Sequence, residues 1–197
     1  MQYRVMDATG TYALCDCTGY RLDGTDTEPN MYVGIIINRS LADTTDSVTG
    51  LGDIHALVNA IGEMRRVARE AGFIAIKVDD ISEVNARFGF DAGDRVLAES
   101  AACLMECSRG KGRLFRSTGP TFVALFDDFD PEETDAIADE IERFLGSPVL
   151  IGPLEYQPPI RVATLHLDSV DRQPVSILNE LKALLGKAVQ VPGTKLD

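Results

Sequence analysis

No apolar run in this chain approaches membrane-spanning length, so no transmembrane helix and no membrane partner are expected. The opening MQYRVMDATG lacks the charged-then-apolar build of a signal peptide. Basic clusters are missing as well. Nineteen Lys and Arg stand against 31 Asp and Glu, for a formal net charge of −12. A surface this acidic repels nucleic acid, which is therefore not expected as a partner. A polyanionic small molecule binds such a protein only in a pocket with its own cations or metal. Cysteines number four and come without secretory features, which implies free thiols in a reducing, cytoplasmic setting. Cys15 and Cys17 share a strand face and Cys103 and Cys107 share a helix face, but no four-ligand spacing appears, and His55 and His166 are isolated. No metal or other cofactor is expected.

What remains is an ordinary globular composition, 45% hydrophobic and 25% charged over 197 residues, enough for one real core plus an appendage. The stretch RLFRSTGPTFVALF, Arg113 to Phe126, reads as strand, turn and strand around Thr118-Gly119-Pro120-Thr121. Before it, residues 1–38 read as all-β: Tyr3–Met6, Thr11–Thr18 and Met31–Asn38, with a Gly/Asp-rich loop from Gly19 to Asn30. A polar connector, Arg39 to Thr45, follows. Asp53 to Ala71 carries a helical stripe through Ile54, Leu57, Val58, Ile61, Met64, Val67, Ala68 and Ala71. Phe73 to Val78 is a buried strand. Asp80-Ile81-Ser82-Glu83 has the spacing of a capping box opening a short helix to Gly89. Asp91 to Ser108 is a second helix with Val96, Leu97, Ala101, Leu104 and Met105 inward. After the hairpin, Asp130-Pro131-Glu132-Glu133 caps a helix to Leu145 through Ile137, Ile141 and Phe144. Pro148–Ile151 and Ile160–Leu167 read as a hairpin, Ser176–Val189 as a last helix, and the tail from Pro192 as loose. The acidic run Asp127 to Asp135 reads as a solvated helix entrance. Strands interleaved with helices, hairpins among them, point to an α/β sandwich on a mixed or antiparallel sheet.

Three segments together resemble the GGDEF family of diguanylate cyclases. Asp46-x-x-Thr49-Gly50-Leu51 is similar to its D-x-L-T-G-L opening. Asn85, Gly89, Gly93 and Asp94 fall on N-D-x-x-G-H-x-x-G-D, and Arg116 with Thr118-Gly119-Pro120-Thr121-Phe122 falls on R-x-G-G-D-E-F. The resemblance covers about residues 46 to 190, so a partial β segment with connector (1–45) and a degenerate GGDEF domain (46–197) are expected. It implies a five-stranded central sheet flanked by helices, similar to nucleotide-cyclase and polymerase palm domains. The segment YRVMDATGTYAL…GIIIN resembles the C-terminal strands of a PAS sensory domain.

The family joins two GTP molecules across a homodimer, using divalent metals held by a strand-end Asp and an acid in the signature hairpin. Aligned on Asn85, the resemblance puts Lys77 at the strand-end Asp, and Pro120 and Thr121 at the third and fourth signature positions. One ligand has become a cation and another a proline, so no cyclase activity is expected. Asn85 and Asp94 match the family's guanine contacts, an amide and a carboxylate suited to that base's edge. Either also serves as an ordinary helix residue. Asp79, Gly119 and Lys77 complete the nucleotide-binding candidates, with Lys77 facing a phosphate or simply pairing with Asp79 or Asp80. The family's inhibitory R-x-x-D matches Arg109 and Gly112, so its Asp is absent; Lys187 is the nearest counterpart of the triphosphate-holding cations. The expected function is a silent GGDEF-like signalling module acting by dimerisation or partner binding. A guanine-nucleotide or cyclic di-GMP sensor is the alternative, and an active cyclase a further one.

Overall fold

Period-two alternation along one buried strand sets the architecture. The computed structural model describes residues 2–6, 12–22, 31–38, 44–67, 70–127, 130–145, 148–151, 154–168 and 172–194. The chain divides into two compact units, Met1–Asp43 and Thr44–Asp197.

In the first unit, β1 (Gln2–Met6), β2 (Tyr12–Leu22) and β3 (Met31–Asn38) form an antiparallel sheet in that order. The second strand continues to Leu22 through residues expected to be loop. The rest of that loop, 23–30, and connector residues 39–43 lie outside the described residues.

The second unit begins with α1 (Ile54–Val67), β4 (Ala71–Val78), α2 (Ile81–Phe88) and α3 (Phe90–Ser108). The hairpin β5 (Arg113–Thr118) and β6 (Thr121–Phe126) follows, then α4 (Pro131–Phe144). Strands β7 (Val149–Ile151), β8 (Leu154–Tyr156) and β9 (Ile160–Leu167) lead to α5 (Pro174–Lys187). The sheet runs β5-β6-β4-β9 and is antiparallel throughout; β7 and β8 form a separate ribbon. The palm-like five-stranded mixed sheet therefore becomes four described antiparallel strands with helices on both faces.

Alternate residues of β4 enter two different cores. Ile74, Ile76 and Val78 pack with Phe122, Ala124, Val96, Leu104 and Ile141 on the side of α3 and α4. Phe73 and Ala75 pack with Val123, Leu57, Ile61, Ile177 and Leu181 on the side of α1 and α5. A strand covered on both faces reads as a continuous apolar run, as FIAI does here.

Several local readings change. Residues 148–151 and 160–167 do not pair as a hairpin: β7 pairs with β8, and β9 crosses to lie beside β4. Helix α1 is described as Ile54–Val67; Ala68 lies outside the described residues, and Ala71, expected as the last residue of the helical stripe, belongs to β4. Asp80 sits in the left-handed region at φ 61° and makes no side-chain cap hydrogen bond, so the capping box does not form. By contrast, the Asp130 carboxylate accepts from the Glu132 N–H at 3.0 Å, with Pro131 opening α4. Met105 and Phe144 lie outward, at 48% and 47% exposure, because each helix stripe rotates past them. The last helix starts at Pro174 and closes at Lys187. Beyond it Val191 exchanges two backbone hydrogen bonds with Ile160, and Thr194 bonds Gln157, so the tail is tied down through Thr194.

Candidate functional site

The hairpin turn docks on the end of β4. Arg116 organises it: its Nε donates to the Gly119 carbonyl at 2.8 Å, while Nη1 reaches both Asp46 oxygens at 2.9 and 3.1 Å. Asp46 also accepts from the Thr49 N–H and hydroxyl at 2.9 and 2.7 Å. Burial opposes its charge, but the bonds from Thr49 and Arg116 prevail and hold its carboxyl below the usual range. Gly119 adopts φ +54°, which glycine tolerates without strain, and the Pro120 carbonyl accepts from the Val78 N–H at 3.0 Å. Thus the D-x-x-T-G-L segment and Arg116 fix where the turn meets Lys77-Val78-Asp79.

Strand pairing places Lys77 between Thr121 on β6 and Arg161 on β9. Directly opposed residues share a face, so Thr121, Lys77 and Arg161 form one row at the sheet end. Asp79 lies beyond them, 6% exposed. It is bonded by Lys77 Nζ at 2.7 Å, Arg161 Nε at 2.8 Å and Gln190 Nε2 at 2.7 Å. Burial alone would raise the Asp79 pKa, yet the donations from Lys77, Arg161 and Gln190 outweigh it and lower it. Of the two acids considered as partners of Lys77, Asp79 is the one it pairs with in this structure.

This donor set does not fit a divalent metal. The strand-end position is an ammonium, the turn offers a proline ring and a threonine, and the remaining carboxylate is committed to two cations and an amide. Bringing a divalent cation within a few ångströms of Lys77 costs on the order of several kcal/mol at an effective dielectric of about 20. Among the described residues no cluster of three or more His, Cys, Asp or Glu suited to a metal occurs.

The base-contact candidates lie elsewhere. Asn85 is half-buried on α2 and Asp94 exposed on α3. Gly93 leaves the space Asn85 fills: a Cβ there would stand 1.9 Å from Asn85 Oδ1. That oxygen is buried and accepts no hydrogen bond among the described residues. Neither Asn85 nor Asp94 lines the cleft of about 500 Å³ that opens beside Lys77, Thr118 and Thr121 and extends under α5.

Arg161, Gln190 and Lys182 are the site residues that sequence reasoning missed. The first two hold Asp79, and the third lines the cleft. Only the β4–β9 register reveals Arg161, and that register was hidden by the expected 148–167 hairpin. The other flagged groups are peripheral. Arg109 pairs with Glu140 at 2.7 Å, and Lys187 is exposed at the end of α5. In the acidic run, Asp127 pairs with Arg113 at 2.9 Å and Glu133 with Lys111.

An antiparallel sheet with helices on both faces, and a tight hairpin docked on its central strand end, defines a GGDEF-like α/β domain. The family model "Diguanylate cyclase, GGDEF domain" matches residues 43–156, more than half of the chain, and the chain belongs to that family. It is similar to the diguanylate cyclase DgcS of Shewanella oneidensis, 29% identical over 84 residues covering 41% of this chain and 28% of that protein. It is also similar to the cyclic di-GMP phosphodiesterase PdeR of Escherichia coli, 29% identical over 113 residues covering 56% and 17%. The chain thus spans under a third of either relative. Among solved structures, the diguanylate cyclase SiaD of Pseudomonas aeruginosa, in complex with its activator SiaC, matches with TM-score 0.69 and 20% identity over 75% of this chain and 58% of that one. No described helix is long and apolar enough to cross a membrane.

Proposed function

We propose that this chain is a catalytically silent GGDEF module in cyclic di-GMP signal transduction, acting in the cytoplasm by homodimerisation or by binding a signalling partner. One observation carries the reading: Lys77 occupies the strand-end position and is locked with Arg161 on Asp79, where family chemistry needs anions free to hold metal. Family membership does not decide activity, since the two relatives are named a cyclase and a phosphodiesterase. That SiaD is crystallised with an activator supports partner binding as a mode open to this fold. Strands β1–β3 are read as the closing strands of a PAS-like sensor. Incubation with GTP and Mg²⁺ tests the proposal: chromatography is expected to show no cyclic di-GMP above a buffer control, and turnover would overturn it.

The buried amide oxygen of Asn85, which accepts no hydrogen bond among the described residues, favours a second reading, guanine-nucleotide or cyclic di-GMP binding without turnover. A ligand held well above its dissociation constant raises the melting temperature. A rise with GTP, GDP or cyclic di-GMP that disappears in Asn85→Ala supports this reading, and an unchanged melting temperature removes it.

A further inference from the structure

The cleft under α5 carries a charge opposite to that of the molecule. The chain has net charge −12, yet among the described residues Lys77, Arg161 and Lys182 line this cleft and no carboxylate does. Asp79, just behind, offsets only part of that charge because it is shared by Lys77 and Arg161. Ala75, between Phe73 and Lys77 on β4, is a small residue of the strand that lines the cleft. Leu178, Leu181 and Leu185 of α5 then give it one apolar wall. Its volume of about 500 Å³ lies in the range of small-molecule sites.

We propose that this cleft binds a small organic anion, a carboxylate or phosphate monoester on an apolar body, through Lys77, Arg161 and Lys182 and without a divalent ion. The cationic row takes the head group as point charges and a guanidinium fork. The leucine wall takes the apolar body. A guanine nucleotide is a poor match, since neither Asn85 nor Asp94 borders the space. This inference goes beyond the proposed function and stands apart from it: cyclase turnover would sink that reading and leave this one to its own test.

The full chain is titrated with the aromatic sulfonate 8-anilinonaphthalene-1-sulfonate in EDTA, following fluorescence. Decanoate and decyl phosphate serve as displacers, with decyltrimethylammonium, decanol and GTP·Mg²⁺ as comparisons. Saturable binding in EDTA is expected, with either anion displacing the probe roughly tenfold better than the cationic or neutral chain; the better of the two identifies the head group. Lys182→Glu, at an exposed position, is expected to weaken probe binding roughly tenfold. Gly186→Trp, where a Cβ meets open space, is expected to obstruct the cleft and abolish binding at an unchanged melting temperature. No saturable binding, equal affinity in both variants, equal displacement by the cationic chain, or displacement by GTP only with Mg²⁺ would each overturn the proposal.

Discussion

Asp79 takes three donors from β4, β9 and the segment after α5, so one carboxylate ties together residues far apart in sequence. Asp79→Ala leaves two neighbouring cations without their anion. Lys77 and Arg161 remain 43% and 30% exposed, so water recovers part of the loss. The expected cost is about 2–3 kcal/mol in urea unfolding, below that of a fully buried pair. The Asp79 pKa is lowered on folding, so its stabilisation is complete above the unfolded value of about 4 and is lost as pH falls through the folded one. The gap between wild type and Asp79→Asn should therefore be full at neutral pH and close in acid. At Gly93 a methyl group collides with Asn85 Oδ1, whereas the same change elsewhere in a helix is favourable by about 1 kcal/mol. Gly93→Ala is expected to destabilise by about 1 kcal/mol in the native background and to stabilise by a similar amount in Asn85→Ala, a sign reversal read by a double-mutant cycle. Burial pushes the Cys103 thiol up to about 12, so iodoacetamide at pH 8 should label it slowly until the protein is denatured.

At the scale of elements, the β5–β6 hairpin depends on Arg116. Its side chain is 14% exposed and bridges Asp46 and Gly119. Arg116→Ala should cost about 2 kcal/mol by urea titration, and Arg116→Lys should recover only part, because one ammonium cannot serve the carboxylate and the carbonyl together. The hairpin was legible because T-G-P-T is turn chemistry between two β-prone runs. Helix α4 was legible because Asp130 and Pro131 act within their own turn. Strand β9 was legible as a strand but not in its pairing, which is a tertiary choice that local pattern does not encode. Asp80 had the letters of a capping box, yet the chain leaves β4 through Asp80 in the left-handed region rather than the extended conformation a side-chain cap needs, and no such cap bond forms. The tail carries no periodic signal before Val191 meets Ile160, and for that reason it read as loose.

For the molecule as a whole, the α/β class followed from a buried apolar strand between amphipathic helices, and the described sheet bears it out with four antiparallel strands rather than five mixed ones. The sequence pointed to Lys77 and Thr121, which strand register sets opposite each other, but not to how the site is built, since the Asp79 network draws on Arg161 and Gln190, which no motif marks. The proposed silence of the domain turns on the electrostatics of that network, in which Lys77 and Arg161 share the Asp79 carboxylate. The direct measurement is the melting temperature of the full chain with GTP, in Mg²⁺ and again in EDTA. If Lys77 and Arg161 occupy this end of the sheet as described, Mg²⁺ adds nothing to whatever shift GTP produces; a larger shift with Mg²⁺, lost in EDTA, would contradict it.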